Sequence, residues 1–335
     1  MNKATRFISD ILFDKEINLD LFPSKNNDNF WDKFVKIGSS HYVIPALYYK
    51  LKERNYLRLL NDKLASYLKE IYTQNLDRNT QLVKEVNEIS HQLKSNGIDH
   101  VFLKGAALIS SIYKDSIGIR MVGDIDILIA QNQIFKAQEL IQKNDYKKFN
   151  KYNGLRGRHL TRLIKDNKVF ALELHDCLVY KDSSLLNHND FLKRKIIKKV
   201  NIPQFNDILY HSILNFQKND HGSLRASYSF RTLLDVFNIT KSNLEAINKL
   251  KKSIHIDKFK LVINKMQGGN YKYKSSLFFF NFRLKLKSYS SLYSCFENIF
   301  FNIILSINLN LYRLIEFVKI REYRHHVLNK LGLIK

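Results

Sequence analysis

Asp124 and Asp126 stand two residues apart in the run Gly123-Asp-Ile-Asp-Ile-Leu-Ile129. In an extended strand, side chains at i and i+2 project from one face, so the two carboxylates would point together. Two such charges repel unless a divalent cation lies between them. Phosphoryl and nucleotidyl transfer calls for that arrangement, because charge builds on both the attacking and the leaving oxygen. The pair alone says little: with 20 Asp among 335 residues, about one Asp-x-Asp is expected by chance, and one is found. Its setting says more. Ile125, Ile127, Leu128 and Ile129 form an apolar run suited to burial, where unpaired carboxylates are costly, and Lys104-Gly105 precedes it by one strand-to-helix unit.

The elements that must position these groups follow from hydrophobic period. From about Leu57 to Leu93, apolar residues recur at three- and four-residue steps, the pattern of one long amphipathic helix, with Asn96-Gly97 as its stop. The period then changes. His100–Leu103 reads as a short strand, 106–114 as a helix, 124–129 as a second strand and 132–143 as another helix. Strand-like stretches around 158–165 and 168–175 are joined by Asp166-Asn167, which has hairpin-turn chemistry. In the last of these, Val169, Ala171, Glu173 and His175 share one face, and Glu173 could lie beside the aspartate pair. The expected class is α+β: a small mixed sheet in a core of residues 99–184, flanked by helical regions at 1–98 and 185–335.

Composition sets limits on partners. Two cysteines, Cys177 and Cys295, leave no disulfide framework and no Cys-based zinc site, and fit a reducing, cytoplasmic setting. The N-terminus lacks a signal-peptide core, and without an uninterrupted run of about 18 apolar residues no transmembrane helix is expected. The segment 296–320 is strongly apolar but interrupted by Asn302, Asn308, Asn310, Arg313 and Glu316; it reads as a core or interfacial helix, with contact at a membrane surface as a further reading. The net charge of +24 is unevenly placed. Residues 191–335 hold 26 Lys or Arg against 8 Asp or Glu, whereas 1–190 hold 29 against 23. The basic half is a candidate surface for a polyanion, against the plainer reading of solvated lysines. Tyr271–Lys274 and Phe280–Arg283 interleave aromatic and basic residues, suiting either nucleic-acid stacking or a core flanked by lysines.

Taken in order, LKGAAL, Tyr113, Arg120, GDIDILI, ALELHD, His211 and the run Arg231–Asp235 resemble an uncharacterised nucleotidyltransferase family of the DNA polymerase beta-like superfamily, over about residues 30–240. The resemblance implies two aspartates on one strand and a carboxylate on a neighbouring strand holding two Mg²⁺ ions, with Mn²⁺ as a substitute. Asp124 and Asp126 match the pair; Glu173 is the match for the third ligand, with Asp176 as the fallback. The implied substrate is an NTP, and the acceptor is unidentified, an RNA end or another anionic molecule being favoured by the basic half. The sequence departs from the family superfold's usual Gly-Ser or Gly-Gly turn in having Gly105-Ala106.

In this reading Asp124, Asp126 and Glu173 are catalytic and metal-binding, with Glu173 also a candidate base. Lys104, Gly105, Ala106 and Arg120 are the candidate nucleotide contacts: Gly105 for close backbone approach, the helix start for its N–H groups, Lys104 and Arg120 for phosphate charge. Either cation could instead pair with a structural carboxylate. His175 could meet substrate or metal, or be a satisfied structural histidine; His211 and His221 are assigned no role. Arg231 and Asp235, at i and i+4, could be a simple helix-face ion pair. The rival reading is a non-catalytic nucleic-acid or membrane-surface module on a degenerate transferase fold. Oligomeric state is left open.

Overall fold

The computed structural model describes residues 2–149, 159–179, 184–241, 243–269 and 273–333. Helices α1 (Lys3–Leu12), α2 (Asp28–Ser40), α3 (Ile44–Glu53) and α4 (Asp62–Ser95) precede the sheet. α4 is the long amphipathic helix expected from the period, but it begins later than Leu57. The Asn61 side chain caps it by accepting from the Leu64 N–H, and Leu57–Leu59 form a separate 3-10 turn. It ends where expected: Gly97 takes φ +64°, a conformation that stops a helix.

Five strands follow among the described residues: β1 (His100–Phe102), β2 (Asp124–Ile129), β3 (Lys147–Lys148), β4 (Leu163–Ile164) and β5 (Ala171–His175), in the order β1-β2-β5-β4-β3. Only β2 and β5 pair in parallel; the other neighbours are antiparallel, giving the mixed sheet of an α+β core. The expected hairpin exists in shortened form. Asn167 sits at φ +65° in a turn closed by Lys168 N–H donating to the Lys165 carbonyl, and the expected strand around 158–165 reduces to β4 and a single bridge, His159 to His175; residue 158 lies outside the described residues. Helix α5 (Lys104–Ile109) connects β1 toward β2, and α6 (Ile134–Gln142) packs behind β5.

Beyond the sheet come α7 (His188–Lys193), α8 (Phe205–Leu214), the single turn α9 (Gly222–Arg225), α10 (Phe230–Ile239), α11 (Ile254–Met266), α12 (Phe278–Tyr289), α13 (Ser291–Lys319) and α14 (Arg321–Lys330). One cluster of buried apolar side chains runs from Phe7 to Phe280. Of the two readings of segment 296–320, core or interfacial helix, the exposure of α13 excludes the core one. By length and composition the helix is apolar enough to cross a membrane, although no unbroken 18-residue apolar run exists. Its exposed residues include Leu292, Phe296, Ile303 and Leu314. Of the aromatic–basic stretch 271–274, Tyr271 and Lys272 lie outside the described residues.

The approach to β2 is fixed by two asparagines one helical turn apart on α4. Asn75 donates from Nδ2 to the Gly118 carbonyl at 2.7 Å and to the Arg120 carbonyl at 3.2 Å. Asn79 donates to the carbonyls of Ile117 at 2.5 Å and Arg120 at 2.8 Å. Both are buried, so these carbonyls would otherwise go without a donor in a dry setting. Gly118 makes the approach possible, since a Cβ there would stand 2.8 Å from the Tyr72 ring. Asn79→Ala is expected to cost about 1–3 kcal/mol, read as a lower denaturant midpoint with an unchanged slope.

Candidate functional site

Parallel pairing of β2 with β5 sets the geometry. The register places Asp124 opposite Ala171 and Asp126 opposite Glu173, so carboxylates from adjacent strands meet on one sheet face. The other face is packed: Ile125, Ile127, Leu172 and Leu174 are fully buried. Any one-residue slip would send the acids into that core, so the apolar alternation fixes the site's register.

Within the face, ligand atoms of Asp126, Glu173 and His175 lie within 4.8 Å of one another, and all three residues are buried. His175 Nε2 donates to Asp126 Oδ1 at 2.8 Å and stands 3.6 Å from Glu173 Oε2. Lys104 Nζ also pairs with Asp126 Oδ1. Arg162, immediately before β4, donates from Nε to Glu173 Oε1 at 2.5 Å and reaches Asp124 Oδ2 at 3.5 Å. His159 Nε2 is 3.7 Å from Glu173 Oε2. Asp124 stands at the more open end of the strand, outside the close group, and Asp176 follows β5 without entering it.

These neighbours divide the acids. Burial opposes ionisation of Asp126, but Lys104 and His175 outweigh it and hold that carboxyl well below the usual range. Burial likewise opposes the Glu173 charge, and hydrogen bonds from His175 and Arg162 with the nearby His159 overcome it, so its pKa is lowered too. Asp124 goes the other way. Desolvation, then the charges of Asp126 and Glu173, push it up to about 6 despite Lys104 and Arg162. Three carboxylates thus share the face with two permanent cations, Lys104 and Arg162, and Asp124 keeps the repulsion that these leave. Hard oxygen donors with one imidazole nitrogen, and an acid left poorly compensated, fit a divalent cation.

The remaining candidates are placed differently. Lys104 takes φ +45°, an uncommon conformation for a side-chain-bearing residue, and is the candidate nucleotide contact that meets the carboxylates. Gly105 and Ala106 are buried. The space beside Gly105 is filled by protein, since a Cβ there would come within 2.6 Å of Val122 and 2.9 Å of the Arg120 guanidinium. Packing on that side by itself requires a glycine. Arg120 follows the structural alternative. It pairs bidentately with Asp235 of α10 (Nε–Oδ1 2.9 Å, NH2–Oδ2 3.0 Å) and donates from NH1 to the Met121 carbonyl. Tyr113 OH adds a bond to Asp235 Oδ1 at 2.9 Å, and Asn238 donates to that hydroxyl at 3.0 Å.

Asp235 therefore serves Arg120 and Tyr113 in place of a surface pair with Arg231, whose guanidinium lies 5.1 Å over the Tyr42 ring. His211 of α8 is buried against the Phe191 ring of α7, and His221 immediately precedes α9 with φ +61°. Sequence reasoning missed Arg162 and His159. The only available signal was the hairpin, which returns residues 159–164 alongside β5.

The family model described as uncharacterised nucleotidyltransferase matches residues 27–259, from α2 through the sheet into α11, and the chain belongs to that family. A search of curated proteins finds no match. The match covers both strands of the acidic face and the α10 aspartate that binds Arg120.

Two outcomes follow from these electrostatics. Asp235→Ala leaves a buried guanidinium unpaired and is expected to cost about 3–5 kcal/mol, most of it recovered in the double variant Arg120→Met/Asp235→Leu. Asp124 has a folded pKa raised to about 6 above an unfolded value near 3.8, so it favours the folded state at low pH and withdraws that support as pH rises through this window. In metal-free buffer, Asp124→Asn should then be more stable than wild type at pH 7–8. With its side chain 31% exposed, the gain is expected to be about 1–2 kcal/mol, vanishing below about pH 4. Thermal melts across pH would measure it.

Proposed function

We propose that the chain transfers a nucleoside monophosphate from an NTP to an anionic acceptor, releasing pyrophosphate, with divalent metal ions held at the acidic face. The observation that carries this reading is the β2–β5 register, which sets Asp126 against Glu173 with Asp124 on the same face. Asp124, Asp126 and Glu173 would hold the ions, and His175 lies close enough to add a fourth donor. Bound Mg²⁺ or Mn²⁺ would supply charge stabilisation at the α-phosphorus and a lowered pKa for the acceptor hydroxyl. In the transfer, the acceptor oxygen forms a bond to the α-phosphorus, the bond to the β-phosphate bridging oxygen breaks, and the hydroxyl proton is released.

The chain's own cations have a defined part. Lys104 and Arg162 border the carboxylates, and Arg162 is half exposed, placed to meet phosphate oxygens. Arg120 serves positioning: with its carbonyl held by Asn75 and Asn79 and its guanidinium by Asp235, it fixes the start of β2. The basic excess of residues 191–335 supports an anionic acceptor such as an RNA end.

The test is pyrophosphate release from each of the four NTPs with Mg²⁺ or Mn²⁺ and cell extract as acceptor source, with the labelled product sized. Asp126→Asn is expected to lower turnover about a hundredfold or more. Arg162→Ala should raise KM for the nucleotide more than it lowers kcat. Absence of turnover with every nucleotide, together with absence of metal-dependent NTP binding, would refute the transferase reading and leave a binding module.

A further inference from the structure

α13 is built inside out. In a soluble protein an amphipathic helix turns its apolar stripe to the core and its polar face to water. Here the buried residues of the helix are Glu297 and Glu316. Glu297 accepts from Arg283 Nε at 2.6 Å and from Tyr293 OH at 2.9 Å, and it also pairs with Lys287. Asn302 accepts from Arg225 at 2.8 Å, tying the helix to α9. The polar contacts hold α13 against the body. Its apolar side faces outward: Leu292, Phe296, Ile299, Ile303, Ile307 and Leu314, at three-, four- and seven-residue steps, are each more than half exposed. At 1.5 Å rise per residue, the stripe from Leu292 to Leu314 is about 35 Å long, and the Phe-rich start of α12 extends it, Phe279 being 76% exposed. An apolar surface of that extent on a folded chain calls for a partner.

We infer that this face docks on a lipid bilayer bearing anionic headgroups, with α13 lying in the plane of the interface. Charge selects the occupant. Between residues 278 and 330, eight Lys or Arg stand against three Glu, and two of those acids are the buried Glu297 and Glu316. Lys285, Lys319, Arg321 and Arg324 flank the stripe in sequence on α12, at the end of α13 and on α14. A second copy of the chain would bring the same positive charges face to face, whereas an anionic leaflet meets them with opposite charge. The in-plane orientation follows from the polar contacts, because a crossing helix would have to give up the Glu297 and Asn302 bonds and carry Arg313 and Glu316 into hydrocarbon.

Flotation of the full-length chain with vesicles tests this. Binding is expected to phosphatidylcholine vesicles containing phosphatidylglycerol, to weaken at high salt, and to be much lower for phosphatidylcholine alone. The exposed triple substitution Phe296→Ser/Ile303→Ser/Leu314→Ser should reduce binding about tenfold or more while leaving the melting temperature unchanged. Failure to float with either vesicle overturns the proposal. A stable dimer in light scattering that the same substitutions dissociate would also overturn it, assigning the face to a second copy. Membrane-bound protein that resists a carbonate wash would overturn the in-plane placement. None of these readouts depends on nucleotide turnover.

Discussion

The parallel pairing of β2 and β5 makes a liability on which the rest of the core is organised. It brings acidic side chains from adjacent strands onto one face of a sheet whose other face is closed by Ile125, Ile127, Leu172 and Leu174. Like charges at this spacing, partly desolvated, are unfavourable without cations around them. The chain supplies two, Lys104 from the β1–α5 turn and Arg162 from the hairpin before β4, and the His175 imidazole of β5 adds a hydrogen bond. Asp126 and Glu173 are held ionised by these groups, and Asp124 is left with the residual repulsion. That uneven division is expected of a site shaped for a ligand cation more than for stability.

A second buried charge network fixes where this face sits. Arg120 lies four residues ahead of Asp124 and is held at both ends, by α4 through its carbonyl and by α10 through its guanidinium. The β2 entry is thereby fastened to helices from either side of the sheet in sequence. The bidentate geometry, with Tyr113 and Asn238 completing the shell, satisfies the charges at a burial depth where an incomplete network would be strongly destabilising. Arg120 and Asp235, separated by 115 residues in the chain, make the following helices part of the site's framework.

Local pattern made much of this legible. The period change at Asn96-Gly97, the two-residue spacing of the aspartates and the face shared by Glu173 and His175 are properties of neighbouring residues, and the backbone geometry follows from them. Pairings across long separations were not legible. Nothing near Arg120 marks Asp235 as its partner, and the i, i+4 spacing of Arg231 and Asp235 pointed to the wrong ion pair. Gly105 shows a different limit. Glycine beside a lysine in a strand–helix turn suits phosphate approach and tight packing equally, and the sequence does not show that Val122 and Arg120 crowd it. For α13, the sequence shows an apolar stripe and polar interruptions, but which side faces the body depends on Arg225, Arg283 and Lys287, supplied by other helices.

The charge asymmetry gains a physical meaning from these contacts. In the basic half four of the eight acids stand in ion pairs: Asp207 with Arg194, Asp235 with Arg120, Asp257 with Lys274, and Glu297 with Arg283 and Lys287. Paired acids contribute little field at a distance, so the potential over this half is set by the lysines and arginines in excess. The same field would draw in an anionic acceptor and an anionic leaflet. The two differ in what must follow: an acceptor needs the acidic face of the sheet, whereas the leaflet needs the apolar stripe of α13. Because Glu297 and Asn302 lock the polar side of that helix to α9 and α12, its apolar side is presented as a fixed surface, and docking there would add little ordering cost beyond that of association itself.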